Sequence, residues 1–468
     1  MSRSPMHDVV LVEGDQPPTD DDAPGRPRSR RRWWAVGLAT ALVVGGAVAV
    51  QHRSDAAADE RAARLAQVPG VIAPADGSLR ALWRLEQPEA AVTYGGAADG
   101  VLLGGTSSGD GFDLHGVDAA TGDVLWRTPV DVPVDETLWS WCDPVRAADG
   151  SELAVCTAGP DAPAASIALS SRTVWTVAPR TGEILTSRRV RGDSTVLVTA
   201  DQLVVAESPD TGVWRVQSLD PSSGDPRWTF TPPIPRTRAD FSQPQLLDEG
   251  TGNVLVSLGG HLWLLDNAGK PLVDRTTTDG TWWVALRTGT SLGRSFSSGG
   301  ADGIALLPDH STVTISEQPV YVFPDDGTAP DALFTLDTRA DGTWLVGRSA
   351  ATGAQQWTIR ENALTSLLVE GTLYIGTSDS IIALDPGSGD VRWRRDVGHA
   401  VDQMSTDGDD LVVVAPPTTV AAYSRHDGHP SWSTDLADEL RELASVGFAP
   451  GTRHVVAWGL DGSVTAVG

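Results

Sequence analysis

The stretch Gly105-Thr-Ser107-Ser-Gly109 carries the G-x-S-x-G spacing of a nucleophile elbow. In an elbow, a tight strand-to-helix turn lifts a serine hydroxyl above a sheet for attack on an acyl carbon. Here the surrounding residues (VLLGGTSSGDGFDL) read as strand on both sides of the serine, and Gly376-Thr-Ser378 recurs at the same place in a related segment. The pattern is that of a repeated hairpin, so hydrolase chemistry is not expected from it. Cys142 and Cys156 are the only cysteines. Two thiols exclude a cysteine-based zinc framework and an iron–sulfur cluster. Both lie on strand-like runs (LWSWCDPV and SELAVCTA) joined by a turn at Asp149 and Gly150. Neighbouring antiparallel strands bring opposed residues to about 4.5–5.5 Å, within disulfide reach. A disulfide is expected, with two buried free thiols as the alternative. No motif places a histidine to activate either sulfur as a nucleophile.

Metal chemistry has weaker anchors. His426 and His429 flank Asp427 in RHDGHP, and Asp407, Asp409, Asp410, Asp325 and Asp326 form acidic turns. Neither the H-E-x-x-H spacing of a zinc helix nor the EF-hand spacing with its bidentate Glu is present. These residues read as solvated hairpin tips, and no metal site is expected. Arg188, Arg189 and Arg191 (SRRVRGD) form a basic run that an anionic ligand or wall polymer could use; a charged strand edge protected from pairing is the plainer reading.

The elements that must carry these residues follow from composition and pattern. Acidic residues number 61 against 35 basic ones, net charge −26, and Lys270 is the only lysine. Phosphate neutralisation needs clustered Lys and Arg, so a nucleic-acid surface is not expected. With 17 Trp and 40% hydrophobic residues the chain can build a large core.

Residues 33–50 (WWAVGLATALVVGGAVAV) run without a charge. As a helix they would reach roughly 27 Å, close to the hydrocarbon thickness of a bilayer. Arg28, Arg30, Arg31 and Arg32 precede the run, and Trp33 and Trp34 stand at its edge. The positive-inside rule then predicts residues 1–32 as a disordered cytoplasmic tail, 33–50 as one transmembrane helix and everything beyond as external. A cleaved signal peptide is the competing reading. Residues 51–75 read as a stalk or linker, and 76–468 as the external domain. Arg-over-Lys usage with high Ala and Gly suggests a GC-rich bacterial genome, which places the chain in the bacterial cytoplasmic membrane.

The external part repeats. Alternating apolar residues lead to Asp, two residues, Thr or Ser, Gly, three residues and Trp. Full copies are Asp118–Gly122–Trp126 (HGVDAATGDVLW), Asp220–Gly224–Trp228 (QSLDPSSGDPRW) and Asp385–Gly389–Trp393 (IIALDPGSGDVRW). Weaker copies keep Gly353 with Trp357, Gly428 with Trp432, Gly182 with Thr186, and Asp266 with Gly269 ahead of Val273. The physics is a hairpin: a half-buried strand, an Asp that caps the turn amides, a Gly at positive φ, and a large side chain opening the next strand. The spacing of about 40 residues is that of a four-stranded propeller blade. The segment 461–468 (DGSVTAVG) stops where a Trp should follow, and SLRALWRLE supplies Trp83 without an upstream strand. Joined, they make one composite blade and close the ring. The expected fold is all-β, a propeller of eight four-stranded blades closed by N- and C-terminal strands. Because residues 274–345 break the phrase, seven to nine remain open.

The phrase A-L-D-x-x-[ST]-G-x-x-x-W resembles the PQQ-like repeat of quinoprotein alcohol dehydrogenases and of the BamB-type outer-membrane assembly lipoprotein, over roughly residues 78–468. The resemblance implies a propeller with Trp83, Trp126, Trp228, Trp357, Trp393 and Trp432 docking between blades. The dehydrogenases carry adjacent cysteines over their quinone, together with a calcium ligand set and a catalytic Asp. Cys142 and Cys156 are not adjacent, and no such ligand set can be placed. The expected function is therefore a non-enzymatic binding scaffold at the cell envelope, facing a protein or wall component and needing no cofactor. A membrane-anchored dehydrogenase binding PQQ with Ca²⁺ is the alternative.

Overall fold

A computed structural model of the chain describes residues 60–468, apart from 109–110, 133–137, 161–170, 209–212, 235–242, 279, 288, 296–302, 438–439, 441 and 450. The tail 1–32, the apolar span 33–50 and residues 51–59 lie outside the described residues. Among the described residues no helix is long and apolar enough to cross a membrane.

Strands form where apolar residues run or alternate between turn residues. The runs covered on both faces are nearly continuous in hydrophobicity, as in Ser380–Leu384 and Val254–Leu258, where every residue is buried. The described residues build nine four-stranded antiparallel sheets. In chain order the blades span 97–130, 138–191, 195–230, 245–276, 281–315, 318–359, 365–396 and 404–435. The ninth joins three strands within 443–467 to Ala81–Leu85. Consecutive strands of a blade are neighbours, so each blade is a meander.

Nine blades replace the eight expected. The additional one is blade 5, inside the stretch that broke the phrase. Its fourth strand, Thr312–Ile315, carries Val313 opposite Ala305, where most blades have Trp opposite a small residue. Its turn has His310 at φ 66° in place of glycine. In the other eight blades the pairing of the last two strands contains a register shift, whereas in blade 5 it runs without one. Trp, Gly and the extra residue of the bulge are all missing, and those were the marks by which a blade could be counted.

Ring closure by the composite blade is realised. Ala81 pairs with Val467 and Trp83 with Ala466. Nine buried apolar clusters each take residues from two adjacent blades, including Trp83, Val456 and Ala466 of blade 9 with Leu102 and Val117 of blade 1. A sheet face left bare would expose its apolar side; the ring gives every face a partner and removes the edge at the seam. Packing starts before residue 76. Leu65 and Val71 are buried against blades 7 and 8, and Ile72 against blades 8 and 9. The Ile72 amide donates to the Thr406 carbonyl at 2.9 Å.

Candidate functional site

The repeated unit of this molecule is the blade junction. In blade 1 the Asp118 carboxylate accepts the amides of Ala120 and Thr121 at 3.0 and 3.1 Å, and the Gly122 amide returns to the Asp118 carbonyl at 2.9 Å. Asp220 and Asp385 do the same for Ser222 and Ser223, and for Gly387 and Ser388. Asp266 accepts from Ala268 and Lys270 in its shorter turn. The arginine before the Trp folds back onto this carboxylate: Arg227 reaches Asp220, and Arg392 reaches Asp385, each at 2.9 Å. The Arg392 guanidinium and then the turn amides hold Asp385 below the ordinary carboxylate range. The carboxylates of these repeats are thus engaged as turn caps.

The Gly of each turn has a second duty. Gly122, Gly182, Gly269, Gly389 and Gly428 have φ between 67° and 74° or close to it, and a Cβ on any of them would lie 2.5–2.7 Å from a Trp of the preceding blade. The tryptophans are Trp83, Trp126, Trp228, Trp357 and Trp393, in that order. Trp432 lies in the same way on Gly77. Their indole N–H groups donate to Ala119, Pro179, Pro386, Arg425 and Ala75 carbonyls, while Trp228 donates to the Gln202 side chain. Gly224 faces Thr186 and Gly353 faces Val313.

The residues with chemical potential are placed as follows. Gly105 and Ser107 lie within the strand Val101–Ser108, paired with Leu114 and Phe112, and no helix follows; Gly109 is outside the described residues. Cys142 and Cys156 are opposed in register and joined as a disulfide. His426 and His429 are exposed at a hairpin tip, where Asp427 accepts the His429 amide. Asp407 accepts the amides of Asp409 and Asp410. Arg188 pairs with Glu207 and Arg191 with Asp193. Among the described residues no group of three or more His, Cys, Asp or Glu side chains converges as for a metal.

Several buried polar groups carry no mark in the sequence. Arg287 grips Asp325 with two nitrogens at 2.8 and 3.0 Å and donates to the Ala332 carbonyl, linking blade 5 to the connection between the first two strands of blade 6. Arg348 binds Glu317 within blade 6. Glu249 is buried against the Ser291 hydroxyl at 2.8 Å, and burial pushes its carboxyl up. His115 is almost fully buried, its Nε2 3.0 Å from the Thr106 hydroxyl, and burial pulls it down. Their partners sit on other strands or blades, and no periodicity announces a pairing at such separations.

A quinone requires a platform and a ligand set. The cysteine pair ties two strands of blade 2 across a register position, so adjacent cysteines over a cofactor are not available. The adjacent-cysteine platform that the resemblance implies is not what these two cysteines build.

A family model described as outer membrane protein assembly factor BamB matches residues 66–323 and 341–468. Among solved structures, BamB from Moraxella catarrhalis aligns over 83% of this chain and 99% of its own, at 14% identity and a TM-score of 0.38. The computationally designed protein Ika8 aligns over 85% and 98%, at 12% identity and a TM-score of 0.38. BBS1N, crystallised in complex with ARL6DN, covers 57% of this chain and 87% of its own, at 11% identity and a TM-score of 0.30. No curated protein matches. By the extent of the family match, the chain belongs to the PQQ-repeat propeller family described as outer membrane protein assembly factor BamB.

Proposed function

We propose that this protein is a non-enzymatic scaffold of the bacterial cell envelope, anchored by residues 33–50 with its N-terminus in the cytoplasm and its propeller outside. The observation that carries the reading is the use of the repeat's polar residues. Turn carboxylates cap amides and pair with arginine, the cysteines are bonded to each other, and the candidate nucleophile lies within a strand hairpin. What the fold offers to a partner is the two rims of loops held by nine rigid blades, a setting suited to recognition. The description of the matched family as an assembly factor supports a protein or wall component as the partner. No cofactor is needed for this role.

Orientation is tested by adding protease to intact spheroplasts of a cell expressing the chain with an N-terminal tag. The reading expects the propeller to be accessible and the tag protected; a protected propeller overturns it. Photo-crosslinking from loop positions in the same cells then identifies the partner. Calorimetric titration with PQQ and Ca²⁺ checks the enzymatic alternative, and saturable binding would displace the scaffold reading.

A further inference from the structure

The junction that closes the ring, between blades 9 and 1, holds a buried ionisable group. His115 lies on the third strand of blade 1, Gly111–Asp118, two residues from Val117 and so on the same face of the sheet. That face looks towards blade 9, because Val117 joins Trp83 and Leu85 of the seam strand in one apolar cluster. His115 is 1% exposed. Its Nε2 is 3.0 Å from the Thr106 hydroxyl, while its Nδ1 is buried with no hydrogen-bond partner among the described residues. Gly104 and Arg127 stand opposite it on the two flanking strands.

The connection from the seam strand to blade 1 packs against the same place. It forms a short 3₁₀ helix, Glu89–Tyr94, whose Ala90 and Val92 are buried in that cluster. Gly104 admits the helix, since a Cβ there would lie 2.9 Å from the Val92 Cα. Glu89 is buried, and its carboxylate is paired with Arg127, the cross-strand neighbour of His115. A 3₁₀ turn this short has little stability of its own, and no side chain caps its start. Ala90, Val92 and the Glu89–Arg127 pair therefore hold it down.

The elements meeting here carry few charges. The connection has Glu86 and Glu89, the outer strand of blade 1 has Arg127, and the seam strand has Arg84, which is paired with Glu86 and Asp461. The strand of His115 adds Asp113 and Asp118, the latter engaged as a turn cap. Burial pulls the His115 imidazole below the ordinary value of 6.5; the Glu89 carboxylate opposes this, Arg127 adds to it and Asp113 opposes. A neutral ring suits the site. A second proton would create a cation away from water and opposite Arg127, and a buried charge without full pairing is costly. Admitting water removes that cost, and the weakly held helix is the element that can move to admit it.

We propose that His115 is an acid-sensitive latch at the seam of the ring. Neutral, it leaves the helix Glu89–Tyr94 closed on blade 1; protonated, it releases that helix while the blades stay folded. The closed state binds the proton less tightly than the open one. Closure is therefore at full strength above about pH 6.5 and weakens as the pH falls from there to the lowered closed-state value. Within that window one proton makes opening about tenfold more frequent per pH unit.

The test is hydrogen–deuterium exchange of the purified full-length chain at about pH 7.5 and about pH 5, with each rate divided by its intrinsic value at that pH. Protection of residues 86–96 is expected to fall at least about tenfold at the lower pH, while residues 365–384 of blade 7 keep theirs. In His115→Gln, which takes up no proton and retains an amide for Thr106, protection of 86–96 should be the same at both pH values. His115→Asn, a smaller amide, serves where that variant does not fold. Unchanged protection in the parent, a loss shared with residues 365–384, or the same loss in a folded variant overturns the proposal.

Discussion

The Thr434 hydroxyl donates to the Gly77 carbonyl at 2.6 Å, and the Trp432 ring lies directly on the same glycine. Blade 8 thereby holds a residue from the other end of the ring in the way that Trp126 and Thr128 hold Gly182. The seam is built with the same parts as an ordinary junction.

Gly77→Ala tests that junction. At φ 82° an added Cβ would be strained, and it would also lie 2.8 Å from Trp432. Strain alone costs about 1–2 kcal/mol, and overpacking adds about 1–3 kcal/mol. Gly150→Ala is the control, at φ 87° with nothing within 4 Å, and should show the strain alone. Denaturant midpoints should therefore fall further for Gly77→Ala than for Gly150→Ala; equal losses would remove the packing share.

Trp357→Ala is expected to lose about 3–5 kcal/mol, the range for a buried large aromatic. Trp357 is 8% exposed, donates to the Pro386 carbonyl at 3.0 Å and covers Gly389. Trp282 is 56% exposed, and its replacement by Ala should change stability by less than about 1 kcal/mol. Equilibrium unfolding of both variants gives the comparison.

The Cys142–Cys156 bond closes a loop of 14 residues within blade 2. Chain-entropy arguments put a loop of this size at about 3 kcal/mol. Cys142→Ser/Cys156→Ser should unfold at lower denaturant than the parent, and a reducing agent should lower the parent to the same midpoint while leaving the variant unmoved.

Glu249 supplies a pH signature. Burial raises its pKa above the ordinary 4.5, and the nearby Asp248 carboxylate adds to this, while the Ser291 hydroxyl opposes. The folded state then binds the proton more tightly than the unfolded chain. Its contribution is fullest below about pH 4.5 and declines as pH rises through the raised value. Glu249→Gln cannot ionise, so its stability relative to the parent should rise with pH over that window and level off above it. Unfolding curves from pH 4 to 8 read this difference; a flat difference would show that Glu249 titrates alike in both states.

How much of this was legible in the sequence depends on what each junction is made of. The turn that begins at Asp385 can be read directly, because Asp, Gly and Trp each answer a local demand: capped amides, positive φ and a gap to fill. Blade 5 meets the same demands with His310 at positive φ and with Val313, residues too common to stand out. The Arg287–Asp325 pair and the Glu249–Ser291 contact depend on how separate sheets are juxtaposed, which no single strand pattern encodes. The junction at Thr186 is an intermediate case. Its missing Trp is visible in the repeat, but only the structure shows that Gly224 there faces the Thr186 methyl.

The pairing of Trp83 with Ala466 also orders events in time. A ribosome adds about 5–20 residues per second, so the strand Ala81–Leu85 waits tens of seconds before Val464–Val467 exists. Throughout that interval the growing arc has an unpaired β edge, and only the last strand to be made can cover it. A chaperone that shields one edge until synthesis is complete would therefore protect the whole molecule from joining its neighbours edge to edge.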